Sequence, residues 1–554
     1  MLFQTTEFLV LLLAVFVGVS LLRRPSGQQT LLLMASYLFY GWWDVRFLML
    51  LLLSTAIDYT AARGMSGRLP WAKRGQITLS LLLGGVAFLA FDWSIVRHWP
   101  QTWSWASLVR PDFERTAPVL VTLVTAAALL PFVVEPVLRL PAVARRRTLL
   151  GLSVASNLGM LGYFKYHDFF AENYAGLATL FGSSSEFEAL SVALPVGISF
   201  YTFQTLSYTI DVSRGELAAE TSFRRLALYV SYFPQLVAGP IMRPQTFLPT
   251  LRQPWTLRED RLISGFHLAA VGLVKKLVIA DAIAPLVSVI LDDPVGRPSL
   301  AIWLGTILFA IQIYCDFSGY TDLARGISRM LGVEIPLNFD GPYLATSVAD
   351  FWRRWHISLS SWLRDYLYIP LGGNRGGELR VSGNLLVTML LGGLWHGAAW
   401  NFVIWGGYQG VLLCGHRQFR RWCHSRPRLD RWLRSRPGTF IRWGVTMYAV
   451  ALGWLIFRVG DLTALASAVR SFVVFDGRLS PAGLGLGQGA PFTALIAATA
   501  FVVLHAGSRL TPRTWPERLD AMPPRWQPVF GVLLGAGLFF TWPSGETPFV
   551  YFQF

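Results

Sequence analysis

Residues 384–413 read NLLVTMLLGGLWHGAAWNFVIWGGYQGVLL, a run of thirty residues without Asp, Glu, Lys or Arg. A single α-helix of this length would measure about 45 Å, whereas the hydrocarbon core of a bilayer is about 30 Å thick. Basic residues flank both ends, with Arg375 and Arg380 before the run and Arg417 after it. Two short helical arms therefore fit better than one helix. Their turn is predicted near 397–400, which places His396 at the tip of a hairpin at membrane depth.

The rest of the chain follows the same pattern of long apolar blocks. Of 554 residues, 53% are hydrophobic and 14% are charged, against about 25% charged in an ordinary soluble domain. Backbone groups in lipid must satisfy their own hydrogen bonds, so the blocks are predicted to be helices. Short alternating strands, which a membrane β-barrel needs, do not occur. The sequence predicts an all-α, polytopic transmembrane helical bundle with about 11–14 membrane segments, some of them re-entrant.

Basic loops between the blocks set the orientation of the predicted spans. Arg23 and Arg24 follow the first apolar block, and no basic region precedes it, so we expect a retained first helix with its N-terminus outside. The block 226–241 contains Pro234 and Pro240 and is predicted to be broken or re-entrant. A partly polar inner region is expected over 320–383. The other predicted spans lie near 30–44, 46–60, 76–92, 117–138, 148–168, 190–210, 262–290, 301–315, 441–457, 491–505 and 529–542, with a Ser- and Glu-rich outer loop at 183–188.

Several kinds of function are excluded by composition and spacing. The net charge of +16 comes from Lys and Arg in short loops, and no polar basic domain is present that would bind nucleic acid. The three cysteines form no Cys-x-x-Cys pair, and the histidines show no metal-ligand spacing, so no metal site is expected. Neither a Gly-x-Ser-x-Gly elbow nor a Walker loop occurs.

Two histidines are the candidate catalytic residues. His396 is an ionisable side chain among apolar residues at membrane depth, which favours a functional role. The alternative is that His396 only packs in a tight contact between helices, at the Gly-x-x-x-Gly pattern formed by Gly393 and Gly397. His356 lies in a predicted amphipathic helix at the inner interface. That helix is predicted to start at Ser347 and to run on through His356. That structural role wins on the residues alone, although it does not prevent His356 from working in catalysis.

Charged and aromatic neighbours supply candidate substrate contacts. Arg353 and Arg354 precede His356 and suit an anionic donor. Trp355 and Trp395 adjoin the two histidines. Asp316 ends an apolar span and is expected to pair with an Arg or to accept a hydrogen bond at a helix end, although it also counts among the candidate substrate contacts.

Five ordered motifs resemble the membrane-bound O-acyltransferase family, and most closely its bacterial branch that acetylates alginate and related polysaccharides. The motifs are Tyr232-Phe-Pro-Gln-Leu-Val-Ala-Gly-Pro240, Asp316-Phe-Ser-Gly-Tyr320, Phe351-Trp-Arg-Arg-Trp-His356-Ile-Ser-Leu359, Tyr368-Ile-Pro-Leu-Gly-Gly-Asn-Arg375 and Gly393-Leu-Trp-His-Gly397. The resemblance extends to Ser36-Tyr-Leu-Phe-Tyr-Gly-Trp-Trp43 and to Pro548-Phe-Val-Tyr-Phe-Gln-Phe554. It implies a single membrane-embedded domain over 1–554 with a motif-bearing catalytic core at 190–415. Residues 66–146 look like an inserted transmembrane hairpin.

The resemblance also implies what the residues do. His396 is then the essential histidine, as general base or transient acyl acceptor, and His356 the second one. The expected donor is acetyl-CoA or another acetyl thioester, with no tightly bound cofactor. The acyl group would cross the bacterial inner membrane to an SGNH-type acetyltransferase partner and a polysaccharide acceptor outside. Three alternatives stay open: D-alanyl transfer to teichoic acid, a transporter and a scaffold for polysaccharide export.

Overall fold

The computed structural model describes residues 5–67, 135–182, 194–478, 490–507 and 514–541, with single positions such as Phe3 and Phe549 outside these ranges. Within them the regular structure is helical and contains no strand, as predicted. The helices are α1 (Thr6–Leu21), α2 (Pro25–Gly41), α3 (Val45–Met65), α4 (Ala142–Leu161), α5 (His167–Leu180), α6 (Ile198–Arg214), α7 (Phe223–Ser231), α8 (Pro244–Thr250), α9 (Glu259–Leu273), α10 (Asp281–Leu291), α11 (Ser299–Met330), α12 (Val348–Arg354), α13 (Ile357–Leu363), α14 (Glu378–His396), α15 (Trp400–His424), α16 (Pro427–Leu433), α17 (Arg436–Arg458), α18 (Leu462–Val473), α19 (Ala490–Gly507), α20 (Trp515–Asp520) and α21 (Gln527–Thr541).

Three of these helices are long and apolar enough to cross a bilayer. They are Phe47–Met65 in α3, the whole of α11 and the whole of α17. Several further apolar helices are shorter, among them α1 and α18. Segments of π-helix interrupt two helical runs, at Gly162–Tyr166 between α4 and α5 and at Val274–Ala280 between α9 and α10.

The chain forms two compact units. The first comprises Met1–Val237 and Ile241–Leu257. Its helices α3, α4 and α6 surround a buried polar cluster centred on Asp58, which is 1% exposed. The Asn157 amide donates to both carboxylate oxygens of Asp58 at 3.0 Å, and the Ser153 hydroxyl donates to one of them at 2.5 Å. These donors satisfy a carboxylate that would otherwise be expensive to bury.

The second unit comprises Ala238–Pro240 and Arg258–Phe554 and carries both candidate catalytic histidines. Helix α9 packs along α11 in this unit. Glycines make this approach possible, since a Cβ on Gly272 would lie 2.6 Å from the carbonyl oxygen of Gly319. A Cβ on Gly326 would lie 2.5 Å from the carbonyl oxygen of Gly265. Small residues at such crossings let two backbones touch, as is common between membrane helices.

Two predicted spans lie within longer helical runs. Helix α11 continues to Met330, so the predicted span 301–315 is too short and the predicted polar inner region begins inside a helix. The polar residues that suggested an earlier end are buried and paired along α11, as Asp316 and Asp322 are. The span predicted near 148–168 also runs on, through α5 to Leu180.

Other predictions differ in outcome. The predicted break within 226–241 is confirmed, because α7 ends at Ser231 and the buried chain stays irregular until α8 begins at Pro244. Whether that segment enters and leaves on one face stays a prediction. The outer loop at 183–188 and the span near 76–92 lie outside the described residues, as do most of the span near 117–138 and most of the proposed insertion at 66–146.

Removing the amide donor of the Asp58 cluster should destabilise the first unit. Asn157→Leu leaves the buried carboxylate of Asp58 without two of its hydrogen bonds, so we expect the free energy of unfolding to fall by about 1–3 kcal/mol. Denaturant unfolding in mixed micelles measures this. Ser156→Ala on the same helix is the control, because that hydroxyl bonds only to the Ser153 carbonyl one turn away. Equal stability of the two variants would contradict the structural role of the cluster.

Candidate active site

A helical hairpin carries His396, as predicted from the length of the uncharged run. Helix α14 ends at His396 and α15 begins at Trp400, so residues 397–399 form the turn. The imidazole of His396 therefore lies at the tip between the two arms. His396 is 8% exposed and is therefore a buried ionisable residue.

Glycines let the two arms of the hairpin touch. A Cβ on Gly393 would overlap the carbonyl oxygen of Phe402, and a Cβ on Gly406 would overlap the carbonyl oxygen of Met389. A Cβ on Gly397 would overlap the ring of Phe402. The packing contact that the sequence offered as an alternative to function is therefore present, and the same contact fixes the position of His396.

Aromatic rings enclose the imidazole of His396. The ring centroids of Trp395, Trp405 and Phe457 lie 5.0, 5.1 and 5.3 Å from it, each nearly perpendicular to the imidazole. Edge-to-face contacts of this kind restrict the orientation of a ring without hydrogen-bonding to its nitrogens. The enclosure therefore holds the imidazole in a site that excludes most water.

His356 lies between two short helices, which corrects the predicted continuous helix. The start of α12 is as predicted, with the Ser347 hydroxyl accepting from the Asp350 N–H at 3.1 Å. However, α12 ends at Arg354, and His356 adopts the left-handed conformation with φ 42° and ψ 56°. Among the described residues it is the only non-glycine residue with a positive φ. The pattern of apolar residues suggested a helix because both short helices share it.

The structure brings the two candidate histidines to one indole ring. His356 is fully buried, and its ring centroid lies 4.7 Å from that of Phe317 and 6.0 Å from that of Trp395. Trp395 in turn contacts His396. Two histidines forty positions apart in the sequence therefore belong to one aromatic cluster.

Asn338 holds the chain around His356. Its side-chain oxygen accepts from the Ser358 N–H at 3.1 Å and from the Ser358 hydroxyl at 2.8 Å, and lies 3.2 Å from Nδ1 of His356. Its backbone oxygen accepts from the Ile357 N–H at 2.9 Å. Sequence reasoning missed Asn338, because it lies in an irregular segment without helical periodicity. The only signal was its position shortly before the Phe351–Leu359 motif.

The other predicted substrate contacts differ in exposure and in pairing. Arg353 has a side chain that is 71% exposed, with Asp350 3.4 Å away. Arg354 is paired with Asp350 at 3.1 Å. Trp355 is 1% exposed and packs against Trp454 at a ring distance of 4.6 Å, so it belongs to the core of the unit.

Asp316 takes part in a buried ion triad. It lies in the middle of α11, which corrects the prediction that it ends a span. The Lys276 ammonium lies 2.7 Å from Asp316 and 2.9 Å from Asp281, so a lysine takes the place of the expected arginine. Lys276 lies in the π-helical segment before α10, where the preceding Lys275 pairs with Asp322 at 2.6 Å. Buried charges need such partners.

A cavity of about 1000 Å³ adjoins this cluster within the second unit. One face of α11 lines it with Tyr314, Ser318, Thr321, Arg325 and Arg329. These positions span about 22 Å along the helix. Asn338 also lines the cavity, so the residue that contacts His356 faces this space as well.

Comparison with known proteins gives three kinds of relative. The model of the membrane-bound O-acyltransferase family matches residues 184–457. The chain is 35% identical over 466 residues to a probable alginate O-acetylase AlgI of Azotobacter vinelandii, covering 83% of this chain and 76% of the relative. It is 35% identical to a peptidoglycan O-acetyltransferase of Helicobacter pylori, covering 60% and 66%. It is 31% identical to a teichoic acid D-alanyltransferase of Bacillus subtilis, covering 47% and 68%.

The glycine contact in the hairpin can be tested with a single methyl group. We expect Gly393→Ala to lower the midpoint of thermal unfolding in detergent, because the new Cβ meets the backbone of Phe402 and costs about 1–3 kcal/mol. Gly383→Ala on the same helix is the matched control, since nothing lies within 4 Å of its Cβ position. That variant should be neutral or slightly stabilising. Unchanged unfolding of Gly393→Ala would mean that the arms do not touch.

Proposed function

Because the chain belongs to the membrane-bound O-acyltransferase family and is an O-acyltransferase of the membrane, we propose that it transfers an acetyl group from a cytoplasmic thioester for O-acetylation of an extracytoplasmic polysaccharide. The observation that carries this proposal is the buried His396 at the tip of the α14–α15 hairpin, in a chain 35% identical to an alginate O-acetylase.

Relatedness supports acetyl over D-alanyl as the acyl group. The relatives named for O-acetylation of alginate and peptidoglycan match 83% and 60% of this chain. The relative named for D-alanyl transfer to teichoic acid matches 47% of it at lower identity. D-alanyl transfer is therefore the second candidate.

The chemistry of acyl transfer suits an imidazole in a dry site. A hydroxyl oxygen attacks the carbonyl carbon of the thioester, so that a C–O bond forms and the C–S bond breaks. The hydroxyl proton passes to a nitrogen of His396 as general base and then to the sulfur of the leaving thiolate. A neutral imidazole is the side chain best suited to both proton steps near neutral pH.

His356 is proposed to orient the donor beside His396. Its place on the other edge of the Trp395 indole supports this role, because a donor that reaches His356 is already at the aromatic cluster around His396. Positioning of this kind lowers the barrier by holding the reacting groups together before the chemical step.

The cavity along α11 is proposed to hold the thioester donor, with acetyl-CoA as the leading compound. Arg325 and Arg329 line one end of it and suit the anionic part of such a donor. Two buried polar atoms that line it, Oγ1 of Thr321 and Nδ2 of Asn338, have no hydrogen-bond partner among the described residues. Arg353, with its largely exposed side chain, is proposed to attract the donor from solvent.

The direction of transfer and the partners complete the proposal. We place the protein in the bacterial inner membrane, with the donor inside and the acceptor outside. An SGNH-type acetyltransferase on the outer side is the proposed recipient of the acetyl group, which it would attach to the polysaccharide.

The experiment is a measurement of base-labile acetate on the cell-surface polysaccharide. We expect wild type to restore acetate to a strain that lacks the protein, and His396→Ala to restore less than about 1% of it, because general base catalysis contributes about 10²–10⁴-fold. His424→Ala is the matched control, as an exposed histidine at the other end of α15.

Protein levels in the membrane must be equal across the strains. Full restoration by His396→Ala would remove His396 from the mechanism. Acetate that never depended on the protein would overturn the proposed acyl group, and D-alanyl esters would then be measured in the same samples.

A further inference from the structure

We propose that Asn338 is a positioning residue that fixes His356 in one neutral tautomer, with the hydrogen on Nδ1 and the lone pair on Nε2. This inference deepens the proposed function, since it assigns the nitrogen of His356 that carries the lone pair. It rests on the hydrogen bonds of Asn338 and does not depend on which acyl group is transferred.

The orientation of the Asn338 amide follows from its partners. The backbone N–H of Ser358 lies 3.1 Å from the side-chain atom assigned as Oδ1, and a backbone N–H can only donate. The atom it meets must therefore be the oxygen, which settles the orientation of the amide without a choice between oxygen and nitrogen. The hydroxyl of Ser358 donates to the same oxygen at 2.8 Å.

The tautomer of His356 follows from that orientation. Nδ1 lies 3.2 Å from Oδ1 of Asn338, and an amide oxygen is an acceptor only. A hydrogen bond between them requires the hydrogen on Nδ1. In the neutral imidazole the lone pair then lies on Nε2, which can accept a hydrogen bond or a proton.

The backbone of Asn338 holds the same residue in place. His356 has a positive φ, a conformation that is strained for a residue with a side chain. The Ile357 N–H that follows it donates to the carbonyl oxygen of Asn338 at 2.9 Å. Two lines of contact from one residue, through its side chain and through its backbone, thus determine both the position and the tautomer of the imidazole.

Burial protects the hydrogen bond between Asn338 and His356 from water. Asn338 and His356 are both 0% exposed, so water does not compete for Nδ1 or for Oδ1. A leucine of similar size at 338 would fill the space but would leave Nδ1 without its acceptor. No hydrogen bond to residue 338 would then stabilise the tautomer that carries its hydrogen on Nδ1.

The first test reads the tautomer directly. Protein labelled with ¹⁵N-histidine is reconstituted in nanodiscs, and the ring signals that disappear in His356→Ala are assigned to His356. We expect a protonated Nδ1 and an unprotonated Nε2 in the wild type. A hydrogen on Nε2 would overturn the proposal. This readout needs no substrate, so it can fail or succeed independently of the proposed function.

The second test uses activity and pH. Asn338→Asp keeps an oxygen acceptor at Nδ1, so it should retain most of the activity. Its negative charge favours the imidazolium, so the acidic limb of its pH–activity profile should move to higher pH. Asn338→Leu should lose about 10²-fold in kcat.

Ser358→Ala is the matched control, because it removes one hydrogen bond to Oδ1 but leaves the backbone N–H and the tautomer. It should keep activity close to that of the wild type. Unfolding midpoints of all variants identify any loss of the fold, and in that case the comparison of Asn338→Asp with the wild type decides. An acidic limb that stays in place in Asn338→Asp, or an equal loss in Ser358→Ala and Asn338→Leu, would contradict the proposal.

Discussion

The close contact between α14 and α15 at Gly393 is the constraint on which the site depends. Because Gly393 has no Cβ, the carbonyl oxygen of Phe402 can occupy the space where a Cβ would stand. The two arms can therefore run side by side from a turn of only three residues. In an apolar environment each arm satisfies its backbone hydrogen bonds internally, so the turn is the part that most needs burial. Burying the turn also buries His396. The depth of the histidine is thus a consequence of backbone packing.

The aromatic residues around the histidines have a second role in the unit. Trp355, Trp454, Trp395 and Phe317 belong to one cluster that connects α11, the α12–α13 turn, the hairpin and α17. Ring contacts of Phe339 and His356 link its members. Large flat side chains of this kind supply contact area with few rotatable bonds. The cluster therefore stabilises the second unit and also keeps the two imidazoles in fixed relation.

Sequence reasoning found the hairpin because a physical length decided it. Thirty uncharged residues exceed one span, and the basic flanks at both ends left a turn as the remaining solution. The same reasoning placed a break near Pro234, since proline cannot continue a helix. The family and the acyltransferase activity followed from motif order, which single residues did not establish.

The details that sequence reasoning did not find depend on pairing in three dimensions. Asp316 looked like the end of a span because its partner, Lys276, is forty positions earlier in the chain. Asn338 carried no periodic signal, since it acts through one side-chain oxygen and one carbonyl. The left-handed conformation of His356 was hidden because both flanking helices carry apolar residues at helical spacing, as a single helix would.

The two lysines of the second unit lie side by side in the π-helical segment Val274–Ala280 and have different partners. Lys275 faces Asp322 and the cavity, whereas Lys276 faces the carboxylates of Asp281 and Asp316. A π-helical turn contains one residue more than an α-helical turn, so it acts as an insertion within the helical run. Each residue after the π-helical segment therefore points in the direction that the preceding residue would have in an unbroken α-helix. The number of residues between Glu259 and Leu291 is thus as much a part of the site as their identity, because it sets the direction in which α10 presents its side chains.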